Sequence, residues 1–561
     1  MSDESVTYFG IDLGTTYSVI SYVDEYGRPA VVRDSASGSE TVPSVVYFEN
    51  ADNVVVGAQA KNVAVLYPDR VVHRVKREMG RERHWEFDGD TYTPESISAL
   101  ILKQLAQNAE IETGKPVHEA IITVPAYFGM LERDATRNAG RIAGLDVLGI
   151  VPEPVAAALQ YDVTETDRER LVLVYDLGGG TFDTTVIRLA PDSVEVLCTD
   201  GDQELGGVDW DERLITHILE EFGRQARPDS DPTDDLQFMQ ELREKAEDLK
   251  RQLSQMTSRA FPLRYAGAQA NLEITRDAFE RVTRDLLDNT LRYTDRTLEK
   301  LTAKAGLSDP AQHIDDVLLV GGSSRMPAVT AALTERYGWA PRLLDPDLAV
   351  AKGAARFALS RAIWNWDQTA GADAAPPTPE ERQERIVALA QRTGVDEAAL
   401  ARMAAKQITN VLPKAFGVRL VDTTKPGWQN DNMAASYVAH LVHADEKLPS
   451  GPRPLEASTL VHHQPDLEIV VYEQAGGEES PDLSANKPVD RGNGLITGLP
   501  PLPAGSPIDI MMTVDDEGLL TVRAIEPTSG KNLTIEVRVS VLTEEEVVRA
   551  TEKISAITVR S

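Results

Sequence analysis

The sequence predicts an α/β fold of two facing lobes, followed by a β-sandwich and one short terminal helix. Three observations predict it. Over residues 1–360, short apolar runs ending in Gly, Pro or Asp alternate with stretches of helical period, the pattern of layered α/β domains. DLGTTYSVI at 12–20 is echoed by DLGGGTFDTTVI at 176–187. That distance is too long for a solenoid repeat and suits two related lobes, each offering one β-hairpin to a shared cleft. Beyond 410, short β-patterned runs are separated by Pro, Gly and Asp turns, as in a sandwich.

In chain order, YFGIDLG, YSVISYVD, AIITVP, LVLVYDLG, TTVIRLA and DDVLLVGG read as buried strands. Helical period runs between them over 94–112, 131–143, 210–226, 234–253 and 276–305. From 361 an Ala/Gly/Pro segment marks a linker, and Thr378 then caps a helix with Pro379 at its first position. That helix stops near Gly394, and an Ala-rich one follows to about 407. Residues 361–408 thus form a linker with a helical insertion. The β-domain over 409–541 contains FGVRLVD, SYVAHLVHA, LEIVVYEQ, IDIMMTVD, LLTVRAIE and LTIEVRVSV. Residues 542–561 open with a capping box, Thr543 with Glu546, and read as one short helix.

The 561 residues carry 57 Lys and Arg against 89 Asp and Glu, a net charge of −32. Such a surface does not bind nucleic acid in bulk, because phosphates need clustered cations. It also disfavours an anionic membrane face. Cys198 is the one cysteine, which excludes a disulfide framework and reads as a small core residue. Asp3 and Glu4 stand where a signal peptide carries Lys or Arg, and no apolar run spans a bilayer. The chain reads as cytoplasmic. His440 and His443 alternate across a strand, and His462–His463 sits by a turn, so neither pair reads as a metal site.

No GxxxxGK[ST] occurs, so a P-loop is not the phosphate cradle. Other glycine turns are present. Asp12 precedes Gly14, Thr15 and Thr16; Asp176 precedes Gly178, Gly179, Gly180 and Thr181. Glycines let backbone N–H groups approach phosphate oxygens, and threonine hydroxyls add donors. Aspartates at strand ends suit a hydrated Mg²⁺. VGGSSRMP at 320–327 supplies a third turn, between a strand and a helix. Any one alone is more simply a tight turn; two echoing hairpins and a third turn in order are not.

GIDLGTTYSVI, TVPAYF, EPVAAAL, DLGGGTFD and LVGGSSRMP resemble the signature segments of the seventy-kilodalton heat-shock (DnaK-like) chaperones. The resemblance implies an actin-like, ribonuclease H-like ATPase over 1–360, and more weakly a peptide-binding β-sandwich after it. It implies ATP/ADP with Mg²⁺ as cofactors and K⁺ as a further candidate. Asp12 and Asp176 then match the carboxylates around hydrated Mg²⁺, while Tyr17 and Asp183 match groups near potassium. Lys76, Glu153, Asp176 and Thr181 form the implied catalytic set. Gly14, Thr15, Thr16, Gly178, Gly179, Gly180, Gly206 and Gly207 belong to the phosphate turns. Glu247, Lys250, Arg251 and Ser254 match the helix against which adenosine packs, with Gly321, Gly322, Ser323, Arg325 and Asp347 on the other side. Pro125 and Arg133 match a proline switch and its arginine. Read without their register, Lys76 is a solvated lysine, Glu153 an acid at a helix N-terminus, and 247–254 an amphipathic face.

The chain departs from that family in places. Its short apolar acidic linker is absent, replaced by the insertion. Gly149 and Pro152 stand where the family has Arg and Asn, so a J-domain partner is doubtful. Lys352 replaces an aromatic, and the lid is reduced to the helix after Thr543. Groove residues are not legible; Val438, Leu441 and Val470 are candidates that also read as core. The expected function is ATP hydrolysis controlling a polypeptide client, with a nucleotide-exchange factor among the partners and no nucleic acid or membrane. An ATP-gated module for a dedicated protein partner is the alternative, and a small-molecule kinase on the same fold a third reading.

Overall fold

The computed structural model describes residues 7–161, 168–191, 193–364, 378–404, 407–489, 494–516, 518, 520–527, 537–538 and 542–561. Both echoing hairpins open a sheet of the same design. In the first lobe, Phe9–Asp12 pairs antiparallel with Tyr17–Val23 and parallel with Glu119–Val124, which is followed outward by Asp146–Pro152. In the second, Arg170–Leu177 pairs antiparallel with Phe182–Leu189 and parallel with Asp316–Val320. Each hairpin strand that ends in aspartate is therefore central, buried on both faces, and stops at the cleft. The apolar runs read as strands carry their side chains into the cores for that reason.

Helices Glu153–Tyr161 and Ala349–Trp364 lie between the sheets and share one core with both, including Val155, Val172 and Ala354. They cross closely: a Cβ on Gly353 would fall 1.7 Å from the Ala156 carbonyl oxygen. The expected 276–305 helix is two helices, Arg276–Val282 and Arg284–Ala305, separated at Thr283. The stretches 94–112, 131–143, 210–226 and 234–253 are helices Pro94–Thr113, Met130–Ile142, Gly207–Ala226 and Leu236–Leu253, whereas Ala58–Val63, Glu153–Tyr161, Pro327–Tyr337 and Ala349–Trp364 lie outside every expected stretch.

The insertion packs onto the ATPase. Helix Pro379–Thr393 starts with a Thr378–Glu381 capping box and stops at Gly394, whose φ of 74° suits glycine. Ile386 and Leu389, with Leu400 of helix Glu397–Ala404, are buried in the inter-sheet core. Gln407–Thr409 then pairs parallel with Ser193–Glu195 at the edge of the second sheet. The sequence pattern, helical to about 407, does not predict a strand here. Three residues are too short for a period to be read.

The β-domain holds two four-stranded sheets. One contains Ser436–Val442, Phe416–Val421, Val471–Gln474 and Asn486–Pro488; the other Ser450–Ser458, Pro507–Val514, Leu520–Ile525 and Val537–Arg538. Phe416, Val418, Ile508, Met512 and Val522 fill the space between them. Ser450–Ser458 was not expected as a strand, because Pro452 and Pro454 argue against one; its ladder shifts register between Ser450 and Arg453. Most of LTIEVRVSV lies outside the described residues.

The terminal helix, Glu544–Ala556, carries the expected Thr543–Glu546 capping box. It does not lie over the β-domain as a lid remnant would. Val547, Ile554, Ile557 and Val559 are buried in the first lobe's core beside Phe48 and Val54. A closing strand, Thr558–Arg560, pairs parallel with Asn53–Val55. The apolar stripe was legible; the surface that it covers was not.

Candidate functional site

A cavity of about 580 Å³ opens where the two aspartate-ended hairpins face each other. Asp12, Gly14, Thr15, Thr16 and Tyr17 line it from the first lobe; Asp176, Gly178, Gly179 and Thr181 from the second. Lys76 and Glu153 stand at its base, Glu247, Lys250, Arg251 and Ser254 on one wall, and Gly321, Gly322, Ser323, Arg325 and Asp347 on another. Gly180, Gly206, Gly207 and Asp183 are not in the lining. The first three sit one layer behind, where Gly207 N–H donates to Gly178 O at 2.9 Å and brings the 206–207 turn against the 178–180 turn.

The glycine turns are packed to the limit. A Cβ on Gly179 would fall 1.6 Å from Thr16 Oγ1, across the cleft, and one on Gly207 would fall 2.2 Å from Ser323 Oγ. Only hydrogen at Gly179 lets the lobes approach this closely, and only hydrogen at Gly207 lets two turns of the second lobe meet.

Charge at the base is unbalanced. Lys76 Nζ donates to Glu153 Oε1 at 2.5 Å, both side chains buried. Asp176 and Asp183 are buried around the pair, and Asp12 is half-buried beside it. Burial, then the charge of Glu153, pushes Asp12 up to about 7 and Asp183 up to about 8. Asp176 is raised by burial and by Glu153, Asp183 and Asp12. Burial alone would lower Lys76, yet the charges of Glu153 and Asp12 outweigh it and its pKa is raised. Four carboxylates against one ammonium favour a further cation.

Among the described residues, no three His, Cys, Asp or Glu side chains converge as direct metal ligands. Asp183 Oδ1 instead accepts the Tyr127 N–H at 2.8 Å. The residues present therefore fit a cation held through its water shell by Asp12 and Asp176, and do not fit a direct three-carboxylate cage. The Tyr17 hydroxyl is already engaged: Arg251 donates to it at 2.7 Å and Lys61 at 3.2 Å.

The 247–254 face has less freedom than its pattern suggests. Lys250 Nζ is buried on Asp211 Oδ2 and Gly207 O, each at 2.8 Å. Ser254 Oγ donates to Lys250 O at 3.1 Å. Glu247 takes Lys61 at 2.5 Å and Arg251 at 2.6 Å, so Tyr17, Lys61, Glu247 and Arg251 bridge the two lobes. Arg325 pairs with Asp347 at 2.6 Å on the opposite wall. Sequence reasoning missed Lys61 and Asp211, since neither lies in a glycine turn or a motif.

A family model described as Hsp70 protein matches residues 8–361. The chain belongs to the Hsp70 family. Its first block is accordingly an actin-like ATPase domain, of a family whose members bind ATP and ADP with Mg²⁺, hydrolyse ATP and act as chaperones on polypeptides. The matched span ends before the insertion and the β-domain. No described helix is long and apolar enough to cross a membrane.

In this Hsp70-family chain the segment after Pro125 joins the cavity to the β-domain. Arg133 is buried and donates to Phe128 O at 2.9 Å and Ala126 O at 3.2 Å. Burial pushes it down to about 10. From the β-domain, Glu473 Oε1 accepts the Met130 N–H at 3.3 Å, and Lys414 lies 5.1 Å from the centre of the Tyr127 ring. The groove candidates are not brought together. Val438 and Val470 are buried with Tyr472 under Leu483, whereas Leu441 packs against the sandwich core. Residues three apart on a strand face opposite ways.

Proposed function

We propose that the chain binds ATP in this cavity, hydrolyses it to ADP and phosphate, and uses the nucleotide to control polypeptide binding by the β-domain. The buried Lys76–Glu153 pair beside Asp12 and Asp176 carries the reading. Lys76 is placed to stabilise charge on the γ-phosphoryl oxygens, where catalysis is mostly positioning and electrostatics. Glu153 orients the attacking water, with Asp176 the other candidate. Backbone N–H groups at Gly14–Thr16 and Gly179–Thr181, with the threonine hydroxyls, hold the polyphosphate. Magnesium, when bound through its waters, neutralises phosphate charge beside Asp12 and Asp176. Met326 and Leu343 offer apolar contact to the base, and the Arg325–Asp347 pair borders it. Phosphate release from ATP, compared between the native chain and Lys76→Ala, tests the reading; equal rates sink it.

One observation favours a dedicated protein partner over general clients. The terminal helix covers the first lobe, so it is not a lid over the β-domain. Saturating hydrophobic peptides that leave the ATPase rate unchanged would support that second reading.

A further inference from the structure

The β-domain is attached to the ATPase at both ends. At its start, Gln407–Thr409 is an edge strand of the second lobe's sheet. At its end, Thr558–Arg560 is an edge strand of a first-lobe sheet, and Thr558 N–H donates to Asp52 O at 2.9 Å. The preceding helix is seated by buried apolar groups, Val547, Ile554, Ile557 and Val559. Its last carbonyls are satisfied from outside: Lys103 Nζ donates to Ile554 O and Ile557 O, both at 2.9 Å.

Between these attachments Met130 of the ATPase reaches the sandwich core, and the remaining contacts include polar pairs. Asp445 Oδ1 accepts the Thr199 N–H at 3.3 Å, and Lys447 pairs with Glu195 at 2.5 Å. Polar contacts of this kind characterise interfaces that open and close. A paired strand with a buried apolar stripe resembles a domain core. Two short tethers also keep the effective concentration of the polar contacts high.

We propose that the C-terminal helix and strand are a standing clamp that keeps the β-domain seated on both ATPase lobes in every nucleotide state. Nucleotide then alters the β-domain in place rather than releasing it. The inference rests on the ATP reading only for its nucleotide arms.

Hydrogen exchange on the full chain, with ADP, with a non-hydrolysable ATP analogue and with neither, tests it. The amides of Thr558–Arg560 report the clamp, Thr199 reports docking, and Gly178–Thr181 report nucleotide occupancy, so failure of the ATP reading shows separately. Clamp and docking amides are expected to hold their rates within about twofold across the three conditions. Val559→Asp, or the milder Lys103→Ala should the first not fold, is expected to speed Thr199 exchange by about tenfold with ADP. Faster Thr199 exchange with ADP in the intact chain overturns the clamp. So does an unchanged Thr199 rate in a folded clamp variant.

Discussion

Lys76 Nζ and Glu153 Oε1 meet at 2.5 Å, drawn from a short helical turn of one segment and the first residue of a helix far along the chain. Both side chains are buried at the base of the cavity and line it, so the pair faces what enters there. Lys76→Ala should keep ATP binding and lower turnover by roughly 10²- to 10³-fold, the usual cost of one transition-state donor. Single-turnover hydrolysis alongside nucleotide binding separates the two effects. Glu153→Gln, which keeps shape and removes charge, should also slow the chemical step with little change in affinity.

The Lys61–Glu247 pair spans the lobes and is half-buried. The cleft cannot open without breaking it. A bridge worth about 1 kcal/mol predicts that Lys61→Ala releases ADP about fivefold faster. Stopped-flow displacement of a fluorescent ADP measures this; an unchanged off-rate would remove the bridge from gating.

Gly179 leaves no room for a methyl group against Thr16. Gly179→Ala should hold the lobes apart and weaken ATP binding by at least about tenfold, a loss of about 1.4 kcal/mol. Titration calorimetry against the native chain decides it.

His73 is largely buried, and burial, then the charges of Arg74, Lys61 and Arg243, pushes it down to about 4. The unfolded chain binds a proton near pH 6.5, whereas the folded chain resists until about pH 4. Its contribution is therefore present above about pH 6.5 and lost as pH falls toward 4, by up to about 3 kcal/mol. Urea unfolding of the native chain and His73→Gln should show the native chain losing about 2 kcal/mol more between pH 7 and 5. Parallel pH profiles would remove His73 as the cause.

Lys414 faces Glu473 at 3.8 Å inside the interface that grips Met130. Lys414→Met leaves a buried carboxylate without its partner, a loss of about 3 kcal/mol. Limited proteolysis within 407–415 should accelerate in that variant, and Lys414→Met/Glu473→Leu should recover much of the protection.

Features written in local chemistry were legible from sequence. The two hairpins, their aspartates and the glycine turns share a spacing that the cavity reproduces around Asp12 and Asp176. The N-cap at Thr378 and the capping box at Thr543 mark helix starts that the structure keeps. What was hidden depends on contacts between distant segments. Lys61 carries no motif, and its role arises only when Glu247 folds over it. Lys250 reads like its neighbours until Asp211 claims its charge. The strand at 450–458 contradicts its own prolines, and the terminal stripe of Val547 and Ile554 does not announce which core receives it.

The pairing of Val559 with Val54 also orders events during synthesis. The first lobe's amino-terminal strands leave the ribosome early, but their neighbour on one edge, Thr558–Arg560, is made about 500 residues later. That lobe therefore waits for the strand around Val559 to be made before its sheet closes. Contacts so distant in sequence are slow to form, and any product truncated before them would carry the strand edge at Asn53–Val56 bare, ready to pair with another chain.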